Sequence, residues 1–96
     1  MIVVSRWTQG VKEGCCREAA AAMKEGLVEV HRPVRIYWPA SEPRRILAME
    51  IEYESVAQYE QLTAEWDKSA EAAAWRARWG GFAEGPITQE FWEVAE

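Results

Sequence analysis

Two stretches of this sequence, Val34-Arg-Ile-Tyr-Trp38 and Arg45-Ile-Leu-Ala-Met-Glu-Ile-Glu-Tyr-Glu54, decide the fold. In the second stretch, leucine, methionine, isoleucine and tyrosine occupy every other position, and alanine and glutamate fill the positions between them. Because successive side chains of a strand point to opposite faces, this alternation predicts a strand with one apolar face. The first stretch alternates in the same way and follows a proline, so we predict a strand there too.

The loop between the two stretches, residues 39–43, indicates how the strands pair. If Trp38 lies opposite Arg45, the apolar side chains of both strands share one face, and Arg35 shares the other face with Glu50. The two strands therefore predict a self-consistent β-hairpin.

Elements of other types lie on both sides of this hairpin. Ile2–Thr8 is β-branched and aromatic and is followed by Gly10, which predicts a first strand. Lys12–Glu25 is rich in good helix formers, and Gly26 occupies the position of a left-handed C-terminal cap, so we predict a first helix. Ile87–Val94 alternates again after glycines and a proline and predicts a fourth strand.

A second helix follows the hairpin. Ser55 and Gln58 have the spacing of a capping box, and apolar residues then recur at helical spacing. On a continuous helix Trp66 would lie about half a turn from Trp75, since each residue advances by about 100°. The helix therefore either breaks near Lys68 or is buried on two sides.

The predicted order βαββαβ is that of a ferredoxin-like α+β fold, with two helices on one face of a four-stranded antiparallel sheet. The 96 residues are too few for a second core, so we predict a single domain over residues 1–96. The face of the sheet that the helices leave bare carries Ala48, Glu50 and Glu52. A second copy of this face is the economical cover for it, and we expect a homodimer.

Composition excludes several classes of function. The net charge of −5 and the absence of a basic run beyond Arg44-Arg45 disfavour nucleic acid. There is no apolar run of membrane-spanning length and no signal-peptide pattern at Met1–Gln9, so we expect a cytoplasmic protein that does not bind a membrane. One histidine and two adjacent cysteines do not make a zinc site, and we expect no metal.

The layout of several segments resembles the dimeric α+β barrel superfamily. The segments are Gly10-Val-Lys-Glu-Gly14, Val34-Arg-Ile-Tyr-Trp-Pro39, Glu52-Tyr-Glu-Ser55 and Glu90-Phe-Trp-Glu-Val94, together with Tyr59, Trp66 and Trp75. Within the superfamily, the chain is most similar to NIPSNAP-like and antibiotic biosynthesis monooxygenase-like proteins. The resemblance implies a dimer with its sheets back to back and a small-molecule pocket between sheet and helices in each subunit. Fold alone does not select a function among such proteins.

The resemblance also bears on chemistry. Related haem degraders ligate iron through a histidine of the second helix, and residues 56–79 contain none. The similar oxygenases commonly pair an asparagine with a tryptophan and need no cofactor. This chain has no asparagine, although Gln58, Gln61 or Gln89 supplies an amide. We therefore expect no cofactor.

The candidate substrate-binding residues are four aromatic side chains that can line a flat apolar pocket: Tyr53, Tyr59, Trp66 and Trp92. Packing in the core is the competing interpretation, because aromatic residues at helical spacing dominate burial in small domains.

Three further residues have a functional and a structural interpretation. His31 is suited to proton transfer but precedes Pro33 in a turn, where a solvated loop residue is expected. Cys15 and Cys16 lie at the start of a helix, where the dipole lowers a thiol pKa, yet one of them is expected to face the sheet as a small apolar residue.

Two functions remain open from the sequence. The first is a small homodimeric protein that binds a hydrophobic or aromatic molecule between sheet and helices, with cofactor-independent monooxygenase-like activity as its enzymatic form. The second is a non-catalytic dimeric module for ligand binding or assembly, in which the six tryptophans serve packing.

Overall fold

The computed structural model of the chain describes residues 1–27 and 30–95. Its elements are β1 (Val3–Val11), α1 (Cys16–Gly26), β2 (Val34–Tyr37), β3 (Ile46–Tyr53), α2 (Val56–Asp67), α3 (Ala70–Trp79) and β4 (Ala83–Glu93). The strands form one antiparallel sheet in the order β2-β3-β1-β4. The predicted fold class is confirmed, with the second helical region divided into α2 and α3.

The hairpin of β2 and β3 has the predicted faces but a different register. Val34 pairs with Ile51 and Arg35 pairs with Glu50, so Arg35 and Glu50 share a face as predicted. By continuation Trp38 would oppose Leu47 rather than Arg45, so the predicted register is wrong by two residues. The extra residues lie in the loop, where the Arg45 carbonyl accepts a hydrogen bond from the Val11 N–H of β1 instead. An even shift leaves every side chain on its predicted face.

Strand β1 does not end before Gly10, as the sequence suggested, but runs on to Val11. A glycine is needed at position 10 of the strand because β4 approaches it closely. A Cβ on Gly10 would be 2.3 Å from the Glu84 carbonyl oxygen. The β1–β4 register also shifts between Gln9 and Val11, as at a β-bulge. Strand β4 begins at Ala83 rather than Ile87 and contains Pro86.

Helix α1 begins at Cys16, four residues later than predicted, because Gly14 adopts a left-handed φ of 78° in the turn before it. The predicted left-handed cap at Gly26 is wrong, since Gly26 is helical and Leu27 ends the helix with φ −106°. Gly26 instead gives room to an indole: a Cβ there would be 2.6 Å from Nε1 of Trp75. That Nε1 donates a hydrogen bond to the Ala22 carbonyl at 3.0 Å.

The second helical region breaks near Lys68, which confirms one of the two predicted alternatives. Ser55 caps α2 by accepting the Gln58 N–H at 3.0 Å, and the Gln58 side chain accepts the Glu54 N–H at 2.8 Å. Ser69 caps α3 by accepting the Ala72 N–H at 3.1 Å. Each helix therefore has its own cap, and α3 is free to turn its tryptophans toward the sheet.

The core lies between the sheet and the helices α1 and α3. Its members include Val11, Met23 and Leu47, which are essentially inaccessible, and Trp79, which is 6% exposed. Helix α2 contributes no buried residue. No helix within the described residues has the length and apolar character needed to span a membrane.

Candidate functional site

A hydrogen-bonded polar cluster lies on the face of the sheet that bears the helices. Strand β1 buries Ser5, which is 5% exposed, on that face. The Gln89 side-chain amide of β4 donates to the Ser5 Oγ at 3.1 Å and to the Tyr59 hydroxyl of α2 at 2.8 Å. Gln89 therefore links two strands and α2 through one side chain.

Aromatic rings surround this polar link. The Tyr59 ring makes edge-to-face contacts with Tyr53, at 5.3 Å between centroids, and with Phe91, at 4.8 Å. Tyr53 is buried, whereas Phe91 is 42% exposed. We call these five residues, Ser5, Tyr53, Tyr59, Gln89 and Phe91, the Gln89 cluster. It combines hydroxyl, amide and aromatic groups beside an exposed stretch of β4.

Arg32 borders the cluster on its β3 side. Its guanidinium lies 4.9 Å from the centroid of the Tyr53 ring. Burial raises the pKa of the Tyr53 phenol, and the nearby Arg32 charge opposes that rise. Tyr53 therefore stays protonated at neutral pH and acts as a hydroxyl, not as a phenolate.

The structure brings together only two of the four predicted site residues. Tyr53 and Tyr59 are in contact, but Trp66 lies near the end of α2 and contacts Trp75 of α3 at 5.9 Å. The prediction that Trp92 lines this site is wrong. Trp92 pairs with Val4 and lies on the bare face of the sheet, where it is 56% exposed. Since faces alternate along β4, its neighbour Phe91 takes the position beside the helices.

Phe91 was missed as a site residue, although the sequence contained a signal for it. Gln89 and Phe91 are two residues apart in β4, and such residues lie on the same face of a sheet. If Gln89 supplies an amide to the site, Phe91 must therefore lie on the same face. The register with β1, which places Phe91 opposite Ser5, settles which set faces the helices.

A packed aromatic chain, rather than a pocket wall, is formed by Trp7, Trp66, Trp75 and Trp79. Trp75 stacks on Trp79 at 5.1 Å with an angle of 10° between the rings, and Trp79 contacts Trp7 at 5.6 Å. Trp66 is at the other end of this chain of rings, where it contacts Trp75. For Trp66, the ring contacts favour the packing interpretation.

Cys16 does not have the surroundings of a reactive thiolate. Cys16 is 7% exposed and belongs to the core, and burial raises the pKa of its thiol despite the nearby Arg44 and Arg17. Cys15 precedes α1 and is partly exposed, and both cysteines are free. His31 is exposed in the segment before β2.

The bare face carries both charge and apolar surface. Arg6 forms an ion pair with Glu50 at 3.6 Å, and the Tyr37 hydroxyl donates to Glu50 at 2.8 Å. Trp92 and Ile2 are 56% and 44% exposed. We call this bare face of the sheet, which bears Ile2, Arg6, Glu50 and Trp92, the open face.

Two cavities bear on ligand binding, with volumes of about 200 Å³ and about 280 Å³. None of the four predicted substrate-binding residues lines either of them. Residues 1–27 and 30–95 contain no group of three or more histidine, cysteine, aspartate or glutamate side chains placed to hold a metal ion.

Comparisons with solved structures show the fold of the chain. A NIPSNAP family protein from Agrobacterium tumefaciens superposes with a TM-score of 0.84 at 10% identity, covering 100% of this chain and 95% of the other. An uncharacterised NIPSNAP-like domain protein from Burkholderia xenovorans gives 0.80 at 13% identity, covering 98% and 85%. A candidate antibiotic biosynthesis monooxygenase from Bordetella bronchiseptica gives 0.76 at 13% identity, covering 99% and 98%.

These identities are low, so the similarity concerns the fold. The predicted resemblance to both groups of proteins is confirmed at that level. No protein-family model matches the sequence, and no curated protein matches it.

Proposed function

We propose that this chain is a homodimeric protein that binds a small aromatic molecule at the Gln89 cluster. The observation that carries the proposal is the uncovered helix side of β4 next to that cluster. Ile87 and Phe91 point to this side and are 56% and 42% exposed. Apolar side chains beside a few convergent polar groups are the usual composition of a small-molecule site.

Helix α2 allows a ligand to reach this surface. It places Tyr59 against Phe91 and Gln89, yet it buries none of its own residues. A helix with few buried contacts moves at little cost in free energy. An aromatic ring can therefore insert between α2 and β4, next to Phe91, without disturbing the core under α1 and α3.

The polar groups of the cluster suit a phenol or a quinol. The Tyr59 hydroxyl accepts from the Gln89 amide, so its own proton is available to a ligand oxygen. The Gln89 side-chain oxygen is an acceptor for a ligand hydroxyl. Such a donor and acceptor pair orients the hydroxyl of an aromatic ligand without a metal or an organic cofactor.

The enzymatic form of the proposal is a monooxygenase-like reaction on a bound quinol. It is supported by the fold shared with proteins named as candidate antibiotic biosynthesis monooxygenases. Gln89 takes the place of the asparagine that the sequence lacks. We also expect a cytoplasmic location, which suits the two free cysteines.

Ligand titration of matched variants tests the binding site. We expect a quinol or flavonoid from a panel that also contains haem to bind, with saturable shifts of the backbone amide signals of Tyr59 and Phe91 in NMR spectra. Gln89→Leu removes both hydrogen bonds and should weaken binding by about tenfold or more. Gln61→Leu, an equal change at an exposed position of α2, should leave the affinity unchanged.

Two outcomes would contradict the proposed site. One is that no panel member binds, and the other is that Gln89→Leu and Gln61→Leu bind equally well. Oxygen uptake by the complex in the presence of a chelator separates the enzymatic form from simple binding.

A non-catalytic module is the second candidate function, and the aromatic contacts favour it. The Tyr59 ring is packed against the rings of both Tyr53 and Phe91. In this case, the tryptophans and tyrosines stabilise the fold, and binding or assembly occurs without turnover.

The homodimer of the proposal forms through the open face. Its apolar residues cluster where β1 and β4 meet: Trp92 lies opposite Val4, and Val94 donates its N–H to the Ile2 carbonyl at 2.9 Å. Exposed apolar surface of this kind on a small domain marks an interaction surface. Packing against a second copy would bury these side chains.

Charge introduced at Trp92 tests the dimer. Trp92→Glu should raise the dimer dissociation constant by about tenfold or more in sedimentation equilibrium, because it buries an unpaired carboxylate in the interface. Val56→Glu adds the same charge at a residue of α2 that is 40% exposed and should not alter the dimer. A monomeric wild-type protein, or equal effects of the two variants, would refute the interface.

A further inference from the structure

A cavity with a volume of about 200 Å³ lies at the other end of β3 from the Gln89 cluster, where α1 begins and the β2–β3 loop turns. Arg17 and Cys16 of α1 line one side, and Trp38, Arg44 and Arg45 line the other. We call it the Trp38 cavity. None of its lining residues belongs to the Gln89 cluster.

Two of the three arginines lie over the indole of Trp38. The guanidinium carbons of Arg44 and Arg17 lie 5.1 Å and 6.0 Å from the centroid of the Trp38 ring. Such stacking fixes the planes of long side chains and leaves their N–H groups at the edges available. The cost of ordering these arginines is therefore already met before a ligand arrives.

The hydrogen bonds of Arg44 are incomplete. Its Nε is buried and has no hydrogen-bond partner within residues 1–27 and 30–95. The nearest carboxylate oxygen, on Glu42, is 3.9 Å away, which is beyond hydrogen-bond distance. A buried charged donor without a partner is costly, and a bound acceptor would relieve that cost.

Charged side chains of both signs surround the cavity. Arg45 is neutralised by Glu84 at 2.6 Å, so its charge is already compensated. Arg17 and Arg44 remain, together with the acidic lining residues Glu13 and Glu42. Glu42 forms a long ion pair with Arg44, at 3.9 Å, but its side chain is 80% exposed, so water screens this pair and an anion can displace the carboxylate. Glu13 and Glu42 balance Arg17 and Arg44 in number, so the buried, unpartnered Nε of Arg44, and not an excess of positive charge, is what favours an anion here.

We propose that the Trp38 cavity binds a compact oxyanion, the carboxylate or phosphate group of a small metabolite, through the guanidinium groups of Arg44 and Arg17. Guanidinium groups bind these anions through paired, charge-assisted hydrogen bonds. The volume of about 200 Å³ suits a dicarboxylate or a phosphate group and is small for a polycyclic aromatic ligand. The site is thus separate from the Gln89 cluster.

Titration with inorganic phosphate and with malonate tests this site in the full chain. The indole N–H signal of Trp38, assigned with Trp38→Phe, is followed by NMR at constant ionic strength set with sodium chloride. We expect a saturable shift with at least one probe at up to about 50 mM, where millimolar affinity is detectable. The probe that saturates identifies the anionic group.

Two arginine variants make the test specific. Arg44→Gln should weaken binding by about tenfold or more, since it removes the charge and the paired donors. Arg76→Gln is the matched control, because Arg76 also lies over an indole, that of Trp66 at 5.3 Å, but outside the cavity. Circular dichroism verifies that both variants are folded.

The proposal is overturned if neither probe gives a saturable shift, or if chloride alone reproduces the shift. It is equally overturned if Arg44→Gln binds as tightly as the wild type, or if Arg76→Gln loses as much affinity as Arg44→Gln.

Discussion

Replacing Trp79 with alanine is expected to lower the free energy of unfolding by about 3 to 5 kcal/mol. Trp79 is 6% exposed and belongs to the core cluster with Leu47 and Met23. Its ring stacks on Trp75 and contacts Trp7 and Phe82. Removing it leaves a cavity that these rings cannot all fill, in a domain whose total stability is only about 5 to 15 kcal/mol.

Urea unfolding followed by far-ultraviolet circular dichroism measures this loss without relying on tryptophan emission. Trp66→Ala is the matched control, because Trp66 is 36% exposed and contacts the aromatic chain only at its end. We expect its cost to be about 1 to 2 kcal/mol, since only part of the side chain leaves a buried environment. Equal costs for the two variants would contradict the assignment of Trp79 to the core.

Gly10→Ala should lower the free energy of unfolding by about 3 kcal/mol, although it adds a single methyl group. The new Cβ would be 2.3 Å from the Glu84 carbonyl oxygen and 3.4 Å from the carbonyl carbon. These atoms belong to the backbone of β4, which cannot yield as a flexible side chain does. Relief therefore requires the β1–β4 ladder to separate near the bulge.

Gly80→Ala provides the comparison for this variant. Gly80 ends α3 with helical angles, φ −56° and ψ −24°, and a Cβ there meets no atom closer than 3.5 Å. Alanine at such a position should change the stability by less than about 1 kcal/mol, in either direction. Thermal unfolding of both variants measures the difference. A Gly10→Ala protein as stable as the wild type would show that β4 does not approach β1 so closely.

The fold was predictable where alternation or capping governs the local structure. The β3 pattern defined one apolar face, and Ser55 marked the start of α2. Gly10 and Gly26 were misinterpreted as a strand end and a helix cap. Their roles depend on the approach of Glu84 and of Trp75, which are distant in the sequence.

The candidate site was predictable only in part, for a related reason. Tyr53 and Tyr59 flank the capped start of α2, so local geometry brings them together. Phe91 and Trp92 are adjacent aromatic residues, and only the register of β4 on β1 determines which of them faces the helices. Arg44 and Arg17 meet at Trp38 through the tertiary fold, and no spacing in the sequence indicates it.

Strand β4 also has features that disfavour open-ended, edge-to-edge association of copies of this chain. It is an 11-residue edge strand, and a long edge with free peptide groups is a template for open-ended fibres. Pro86 has no amide donor, and Gly85, with φ 84°, changes the course of the backbone beside it. An approaching strand meets an interrupted ladder, so edge-to-edge polymerisation is disfavoured, which is compatible with the proposed dimer through the open face.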